Sequence, residues 1–489
     1  MKNTPTSRRT FIKYAGLAVV ASSLKGQSII GANERVRIAL IGCGRQGSDL
    51  SRYFTQVPGA QLVAICDPDT AQMDTLADKL ANPKAYNGQP AREKVVVETI
   101  QDYRKVLERS DIDAVIIASP TYWHTLQAIQ AMEAGKHVYV EKPVCFTPWE
   151  AHQLEAAERK YGKIIAAGYQ NRSDPGPQVG IRYVQDGKLG KIKNIRSLCF
   201  RNRASIGRRE SPLKPPATMD YDLWLGPAQD MPIMRPELHY DWHWDYNTGQ
   251  GDIGNQGVHE IDLVCWLLGE PALPKQIQSF GNRFAWNDGG DTPNLQSSWY
   301  QVDGVDVIIE ANDLTLAPDR NVAKNRFGTR TGLIVECENG ILKGGRYGMM
   351  ATELDGKTVI ERFKGNGGKG HQQNFIDAIR ANDASILRAR IGTSTNSAIL
   401  ASASNISYRS GELVSNQELL KIVGGRQELT EILNEEQAQL ETWGIKDPSY
   451  NLGKVIEIDP ASRTISNPSI GPELKGPHYR KGYELKALV

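Results

Sequence analysis

Short apolar runs and amphipathic stretches alternate along the first third of the chain. The apolar runs have the length of buried strands, and the amphipathic stretches have the spacing of helices. The predicted strands are Arg35–Ile41, Ala60–Cys66, Val95–Ile100, Asp113–Ala118, His137–Val140 and Lys163–Ala167. The predicted helices are Gly47–Phe54, Thr70–Leu80, Thr125–Gly135 and Trp149–Tyr161. This alternation predicts an α/β fold with a doubly wound parallel sheet.

The pattern changes beyond Ala167, where longer and partly alternating strands appear. These predicted strands are Ile192–Phe200, Ser297–Glu310, Gly332–Glu338 and Ile341–Lys343. The tripeptide Glu338-Asn339-Gly340 is a hairpin signal between the last two. Helices are predicted at Val258–Leu268, Asn374–Arg380 and Gln427–Thr442. The second part of the chain is therefore predicted to be an α+β domain with a largely antiparallel, open sheet.

Composition and charge exclude several classes of protein. The 489 residues carry 58 Lys and Arg against 56 Asp and Glu, a net charge of +2. Such a balance gives no electrostatic field for nucleic acid, and no later segment has the length of a membrane anchor. The six cysteines are scattered, mostly in apolar runs, which predicts buried thiols.

The start of the chain has the pattern of an export signal. The pair Arg8-Arg9 is followed by the short apolar run 14–22. A twin-arginine signal directs an already folded protein to the periplasm and is removed there. The alternative is a disordered basic start of a cytoplasmic protein. Export in the folded state leads us to expect a tightly held cofactor that is regenerated in place.

A glycine turn directly follows the first predicted strand. Its residues are Gly42, Cys43, Gly44, Arg45, Gln46 and Gly47, and Asp67 ends the second strand. Glycines in this arrangement let the backbone approach a pyrophosphate at a helix N-terminus, while the acid accepts hydrogen bonds from a ribose. Asp67 favours NAD over NADP, although Arg45 could reach a 2′-phosphate. The alternative is a glycine-rich turn of another α/β protein.

Two further segments follow strand ends of the same predicted sheet. One contains Ser119, Pro120 and His124, and the other contains Glu141 and Lys142. Open α/β sheets bind ligands at the carboxyl ends of their strands, so we expect these residues beside the cofactor. Lys142 could hydrogen-bond a substrate hydroxyl and ease its deprotonation. The alternative is a lysine exposed to solvent.

The helix predicted at 258–268 carries a candidate base. Asn255 and His259 are four residues apart and share a face if the helix starts near Gly257. A neutral histidine at a helix start can accept a proton. A histidine with a purely structural role is an equal alternative.

An aromatic stretch lies between these motifs. Trp242, His243 and Trp244 concentrate flat apolar faces beside polar groups. Such faces suit sugar rings, although an aromatic core or an oligomer interface is an equal alternative. His239 and His243 have the spacing of helical metal ligands, but the neighbouring residues do not favour a metal, and we expect none.

These motifs together resemble the glucose–fructose oxidoreductase / inositol dehydrogenase (Gfo/Idh/MocA) family. The resemblance also rests on GYQNRSDP (168–175), which contains Tyr169 and Arg172, and on GNQGVHEIDLVCWLLG (254–269). It implies a Rossmann domain followed by an α/β domain whose open sheet often forms dimer or tetramer contacts. It also implies Lys142 and His259 as the catalytic pair, with a cis peptide bond before Pro143. Where members commonly carry aspartate, this chain has Asn255, which we expect to orient a substrate hydroxyl.

The resemblance covers roughly residues 34–410, and the signal before it and the extension after it complete the expected organisation. Four segments are expected: a twin-arginine signal at 1–33, an NAD-binding Rossmann domain at 34–168, a substrate domain at 169–415 and a C-terminal extension at 416–489. Substrate contacts are expected from Tyr169, Arg172, Trp242, His243, Trp244, Asn255 and His259.

The expected activity is NAD-dependent oxidation of a secondary hydroxyl, preferably at C3, on a sugar or glycoside in the periplasm. An alternative is redox-neutral glycoside cleavage by oxidation, elimination, hydration and reduction. A scaffold protein with a dead cofactor site is a third hypothesis, which the presence of both Lys142 and His259 disfavours.

Overall fold

The structure is a computed structural model that describes residues 35–84, 93–270, 273–467, 470–471, 476 and 478–489. The predicted twin-arginine signal lies outside these residues. Val36–Val489 forms one compact unit, within which two large sheets carry most of the core.

The first sheet has six parallel strands in the order β3-β2-β1-β4-β5-β6. Its strands are β1 (Val36–Ile41), β2 (Ala60–Cys66), β3 (Glu98–Ile100), β4 (Ala114–Ile117), β5 (His137–Val140) and β6 (Ile165–Ala167). Strands β1 to β3 are added toward one edge of the sheet and β4 to β6 toward the other. Doubly wound sheets open a ligand crevice where this order reverses, here between β1 and β4. The prediction of a Rossmann-type α/β fold is confirmed.

Helices connect these strands on both faces of the sheet. They are α1 (Arg45–Phe54), α2 (Thr70–Ala81), α3 (Tyr103–Leu107), α4 (Thr121–Glu133) and α5 (Pro148–Tyr161). Local sequence fixes several of their ends. The Asp69 side chain caps α2, and Thr147 with Glu150 forms a capping box on α5. Gly162 ends α5 in the left-handed conformation.

The second sheet is mixed and mostly antiparallel. Its main path is β16-β15-β14-β13-β7-β10-β9-β8-β18-β17, with only β7 and β10 parallel among these pairs. The strands are β7 (Ile192–Phe200), β8 (Gln276–Asn282), β9 (Leu295–Val302), β10 (Val305–Asn312), β11 (Thr315–Ala317), β12 (Arg320–Ala323), β13 (Thr331–Cys337), β14 (Gly340–Gly345), β15 (Gly348–Thr352), β16 (Val359–Lys364), β17 (Glu412–Ser415), β18 (Ser449–Leu452), β19 (Ile456–Asp459) and β20 (Thr464–Ile465). β11 and β12 form a separate pair, and β19 joins β8 and β20.

Helices of the second part pack on and around this sheet. They are α6 (Pro175–Gln185), α7 (Tyr221–Leu225), α8 (Val258–Leu268), α9 (His371–Ala381), α10 (Ile391–Arg409), α11 (Asn416–Val423) and α12 (Gln427–Thr442). The long helix α10 is buried along most of its length and packs against β8, α8 and α5. It therefore ties the second sheet to the first part of the chain.

Two predicted elements were wrong by more than three residues, and the strand expected at Val95–Ile100 is only Glu98–Ile100. The single strand expected at Ser297–Glu310 is the hairpin β9–β10, because Asp303 and Gly304 form a turn with positive φ at both positions (50° and 82°). Helix α4 starts at Thr121 rather than Thr125, since Pro120 occupies its N-cap position and no residue breaks the first turn. His124 consequently lies inside the first turn of α4.

The last segment contributes to the fold beyond its helices. β18 and β19 pair with β8, and the terminal residues reach α5, where the Gln153 side chain bonds to the main chain of Leu488. All six cysteines are free and buried, which confirms that prediction. None of the helices in the described ranges is long and apolar enough to cross a membrane.

Candidate functional site

A cleft of about 1300 Å³ lies at the carboxyl ends of the parallel strands and extends to residues of the second part. One end, here called the glycine-turn end, is lined by Gly42, Gly44, Arg45 and Asp67. The other, called the lysine–histidine end, is lined by Lys142, Asn255 and His259. The cleft therefore joins the motifs on which the sequence analysis rested.

The glycine turn is packed so tightly that two of its positions exclude a side chain. Gly42 has φ +96°, and a Cβ there would lie 2.5 Å from the Ala118 carbonyl carbon. A Cβ on Gly47 would lie 1.8 Å from the Gly42 oxygen. A Cβ on Gly44, in contrast, has no atom within 4 Å and points to open space. This open backbone at the N-terminus of α1 fits a pyrophosphate.

Asp67 lies at the end of β2 beside this turn. Its Oδ2 accepts a hydrogen bond from the Cys43 backbone N–H at 2.7 Å, and its Oδ1 accepts one from the Asp69 N–H at 2.9 Å. Burial raises the pKa of this carboxyl, while the two backbone N–H groups oppose that rise. Cys43 contributes its main chain here, since its thiol is buried. The carboxylate is thus fixed at the position where a ribose is expected.

Gln46 and Glu141 connect the two ends of the cleft. Glu141 Oε1 accepts hydrogen bonds from Gln46 Nε2 at 2.9 Å and from Gln170 Nε2 at 3.0 Å. Burial raises the pKa of Glu141, while the neighbouring Lys142 lowers it. The peptide bond between Lys142 and Pro143 is cis, as the family resemblance implied.

His124 supports this segment from behind. Its two ring nitrogens lie 2.7 Å from the Pro143 oxygen and 2.8 Å from the Ser119 oxygen. Burial lowers its pKa to about 4, so the ring is neutral near pH 7. The Ser119 hydroxyl donates to Gln127, and Ser119 and Pro120 line the cleft with His124.

Lys142 is held against the turn that precedes α8. Residues Ile253–Gly257 form a π-helical turn, a feature that is frequent at functional sites. Lys142 Nζ donates to the Asn255 backbone oxygen at 2.6 Å and lies 3.4 Å from its Oδ1. The Asn255 amide in turn donates to Asp252 Oδ1 at 2.9 Å. Burial lowers the pKa of the Lys142 amine, and Glu141 opposes that fall.

His259 occupies the first turn of α8 and is 8% exposed. Its Nδ1 is buried and has no hydrogen-bond partner among the described residues. Burial lowers its pKa well below 6.5, and the charges of Lys142 and Arg346 lower it further. The structure therefore places a neutral imidazole in the wall of the cleft, at the same end as the Lys142 ammonium.

Tyr169 and Arg172 do not line the cleft, contrary to their expected role as substrate contacts. Arg172 forms a buried bidentate pair with Asp262 at 2.8 and 2.9 Å and also contacts Glu270. Tyr169 is fully buried, its hydroxyl accepts a hydrogen bond from Ser397 Oγ at 3.0 Å, and its ring packs edge-on to His259 at 5.8 Å. Both side chains therefore contact residues of α8 rather than the cleft.

The aromatic stretch is divided between the cleft and the core. Trp242 and His243 line the cleft, and their rings stack at 3.6 Å. Burial lowers the pKa of His243 to about 3. Trp244 is buried outside the lining, where Arg203 lies 5.2 Å above its ring. Trp244 is therefore a support rather than a substrate contact.

Sequence analysis missed several residues of the cleft wall. Arg201 and Arg203 follow β7, Arg346 lies between β14 and β15, and the glycine-rich loop 366–370 precedes α9. The motif Gly-Asn-Gly-Gly-Lys-Gly at 365–370 was a readable signal, whereas the arginines carried none. Within the described parts of the chain, no group of three or more His, Cys, Asp or Glu residues could hold a metal ion.

Models of one protein family match both parts of the chain. Residues 36–169 match the Gfo/Idh/MocA oxidoreductase family, NAD-binding Rossmann fold, and residues 202–314 match the C-terminal alpha/beta domain of that family. The NAD-binding assignment of the first part agrees with the open backbone at Gly44 and the position of Asp67.

Similar sequences have glycosidase names. A "Glycosyl hydrolase family 109 protein 1" of Shewanella sp. (strain MR-4) is 37% identical over 176 residues, which are 31% of this chain and 37% of that protein. An "Alpha-N-acetylgalactosaminidase" of Shewanella oneidensis is 36% identical over 176 residues, which are again 31% of this chain and 37% of that protein. These matches therefore span little more than a third of each relative.

Solved structures share the fold at low sequence identity. The WlbA dehydrogenase from Bordetella pertussis, in complex with NADH and UDP-GlcNAcA, has a TM-score of 0.54 and 18% identity, covering 75% of this chain and 94% of that one. An oxidoreductase from Agrobacterium radiobacter, in complex with NAD+, L-tartaric acid and magnesium, has a TM-score of 0.53 and 15% identity, covering 76% and 95%. The two sheets, the cleft between them and the matches of both domains together show that this chain belongs to the Gfo/Idh/MocA oxidoreductase family.

Proposed function

We propose that this protein is an NAD-dependent oxidoreductase that acts on a secondary hydroxyl of a sugar or glycoside. The observation that carries the proposal is the arrangement of Lys142 and the neutral His259 at one end of a cleft whose other end is a dinucleotide-type glycine turn. An oxidation of an alcohol needs a proton acceptor and a group that stabilises the developing alkoxide, and these two residues are suited to those tasks.

The two residues divide the proton chemistry. A neutral imidazole can take the hydroxyl proton, and His259 lines the cleft with its pKa held well below 6.5. The Lys142 ammonium, anchored on Asn255, donates to the substrate oxygen and stabilises negative charge on it. NAD, when bound, would accept the hydride that leaves the alcohol carbon.

The cofactor would be held by residues that the sequence already singled out. The N–H groups at the start of α1 face the open space at Gly44, and Asp67 presents a carboxylate for a ribose. The stacked Trp242 and His243 offer a flat face on which a sugar ring can lie. Oxidation at C3 remains our proposal, because that ketone acidifies the neighbouring positions.

The proposed location is the periplasm, with the dinucleotide carried there inside the folded protein. The support is the sequence pattern at Arg8-Arg9 and the apolar run after it.

A second candidate is redox-neutral glycoside cleavage. It is favoured by the glycosidase names of the similar proteins from Shewanella. That activity would suit a cofactor that stays bound, because each turnover leaves the dinucleotide in its starting redox state.

The experiment begins with denaturation of the purified protein and identification of any released dinucleotide. The native protein is then incubated with free sugars and with aryl glycosides. A keto-sugar product supports oxidation, whereas release of the aryl alcohol without net NADH supports cleavage. A protein that neither releases nor takes up a nicotinamide dinucleotide would refute both candidates.

Lys142→Ala tests the chemistry in the same assay. We expect turnover to fall by about 10³-fold or more while the dinucleotide stays bound, because the glycine turn and Asp67 are unchanged. Lys188→Ala, at an exposed lysine, is the matched control. Retained turnover in Lys142→Ala would remove this residue from the mechanism.

A further inference from the structure

The lysine–histidine end of the cleft carries more positive charge than its own carboxylates balance. Arg201 and Arg346 line the cleft with Lys142 and His259. The Arg346 guanidinium donates twice to the Gly367 carbonyl oxygen at 3.1 Å, and no carboxylate among the described residues forms an ion pair with either arginine. Each therefore lines the cleft without a carboxylate partner of its own.

Two other cationic groups at this end have partners of their own, and the Lys142 ammonium donates to the Asn255 backbone oxygen. Arg203 forms a bidentate pair with Asp252 at 2.7 and 2.9 Å. Glu141 lies beside Lys142 and accepts its backbone N–H. Asp252 therefore forms its ion pair with Arg203, and the nearby charge of Arg201 also lowers the pKa of Asp252.

Glu260 is a further carboxyl group on which the Arg201 charge acts. It is buried and accepts a hydrogen bond from Gln256 Nε2 at 3.1 Å. Burial raises the pKa of Glu260 to about 8, so it is mostly uncharged near pH 7. Glu260 therefore offsets little of the positive charge that lines the cleft.

The phosphates of a dinucleotide do not account for these arginines. The glycine turn and the N-terminus of α1 already supply the donors that a pyrophosphate needs. Arg201 follows β7 and Arg346 follows β14, both in the second sheet. This is the part of the chain in which the substrate is expected to bind.

We propose that the substrate sugar carries a carboxylate, and that Arg201 and Arg346 bind it beside Lys142 and His259. Guanidinium groups form strong charge-assisted bonds to planar carboxylates, and a cleft with one sign of unpaired charge concentrates ligands of the opposite sign. The substrate class is a uronic acid or its glycoside. This inference rests on the proposed function and specifies its substrate.

The test compares sugars that differ only in this charge. The full-length protein with its bound dinucleotide is titrated with aryl uronides, their methyl esters and the parent neutral glycosides, in gluco and galacto configurations and both anomers. Quenching of tryptophan fluorescence, to which Trp242 in the cleft contributes, reports binding without turnover. We expect at least one uronide to bind about tenfold or more tightly than its ester and its neutral parent, with an affinity that falls as salt rises.

Two variants locate the effect. Arg201→Gln and Arg346→Gln should each weaken uronide binding about tenfold and leave the neutral glycoside unchanged. Arg320→Gln, at an exposed position of β12, is the control and should change neither. The released dinucleotide is measured for every variant.

The outcomes separate this inference from the proposed function. Equal or tighter binding of the ester or neutral sugar, absence of binding by every uronide, or variants that affect charged and neutral sugars alike would overturn the carboxylate assignment. So would loss of the dinucleotide in Arg346→Gln with unchanged sugar selectivity. Neutral sugars that are oxidised by the holoprotein would leave the proposed function standing, whereas absence of any dinucleotide would remove that function first.

Discussion

The two ends of the cleft are built in different ways. The glycine-turn end comes from one continuous segment, Gly42–Gly47, and from Asp67 at the end of the next strand. The lysine–histidine end brings together Lys142, Asn255 and His259 with arginines from the segments that follow β7 and β14. The first end depends on local backbone geometry, and the second depends on how the two sheets are packed. Substitutions at the two ends should therefore have different effects on activity and on dinucleotide binding.

His259→Gln should have the largest effect and should confine it to one end. Loss of a general base typically costs about 10² to 10⁴-fold in rate, while the dinucleotide should stay bound because the glycine turn is untouched. Measurement of kcat/KM and of released dinucleotide on the same samples checks both parts. Equal loss of cofactor would show that the two ends are not separable.

The wild-type pH profile belongs to the same test. A base must be neutral to accept a proton, and burial keeps the pKa of His259 well below 6.5. Activity should therefore persist as pH falls through 6.5 and should decline only at lower pH. A decline centred at 6.5 that disappears in His259→Gln would contradict the buried, neutral state of this ring.

Arg172→Ala should show how much the lysine–histidine end depends on tertiary packing. Removal of Arg172 leaves Asp262 of α8 buried without its bidentate partner, which typically costs about 3–5 kcal/mol in the free energy of unfolding. Urea denaturation measures this loss, with the exposed Arg182→Ala as control. The preference among sugars in the surviving folded protein should not change. A changed preference at unchanged stability would restore Arg172 as a substrate contact.

Two glycine substitutions separate folding from cofactor binding at the other end. Gly47→Ala forces a Cβ to 1.8 Å from the Gly42 oxygen, so we expect a loss of about 1–3 kcal/mol in stability and a low dinucleotide content. Gly44→Ala meets no protein atom within 4 Å, so it should hold less dinucleotide and should melt like the wild type once both are stripped of dinucleotide. Thermal melting and dinucleotide release measure the two effects. Full cofactor retention in Gly44→Ala would place the pyrophosphate elsewhere.

Glu260→Gln should have the smallest effect. An unfolded chain releases this proton near the usual 4.5, whereas burial raises the pKa in the folded protein to about 8. Folding thus retains a proton, and stability falls as pH rises between these values. Glu260→Gln should remove part of that fall. Its gain in melting temperature over the wild type should therefore be about 2 °C larger at pH 8 than at pH 5. The exposed Glu361→Gln is the control, and a gain that is equal at both pH values would contradict the explanation.

The fold class and the cofactor were predictable because their signals are local. Apolar runs alternating with amphipathic stretches predict parallel strands and helices, and a glycine turn after a strand predicts a dinucleotide site. The cis bond at Lys142–Pro143 and the buried cysteines were also predicted and are confirmed. The signal at residues 1–33, the domain boundaries, the oligomeric state and the catalytic roles stay predictions.

The sequence by itself determined which residues can build a glycine turn and a proton-accepting helix start. Only the tertiary structure decided that Arg172 is consumed by Asp262, that Trp244 is buried, and that Arg201 and Arg346 reach the cleft without an ion-pair partner. The physical reason is the range of the interactions. Backbone conformation depends on neighbours within a few residues, whereas the pairing of a charge depends on which distant strands the fold places beside it.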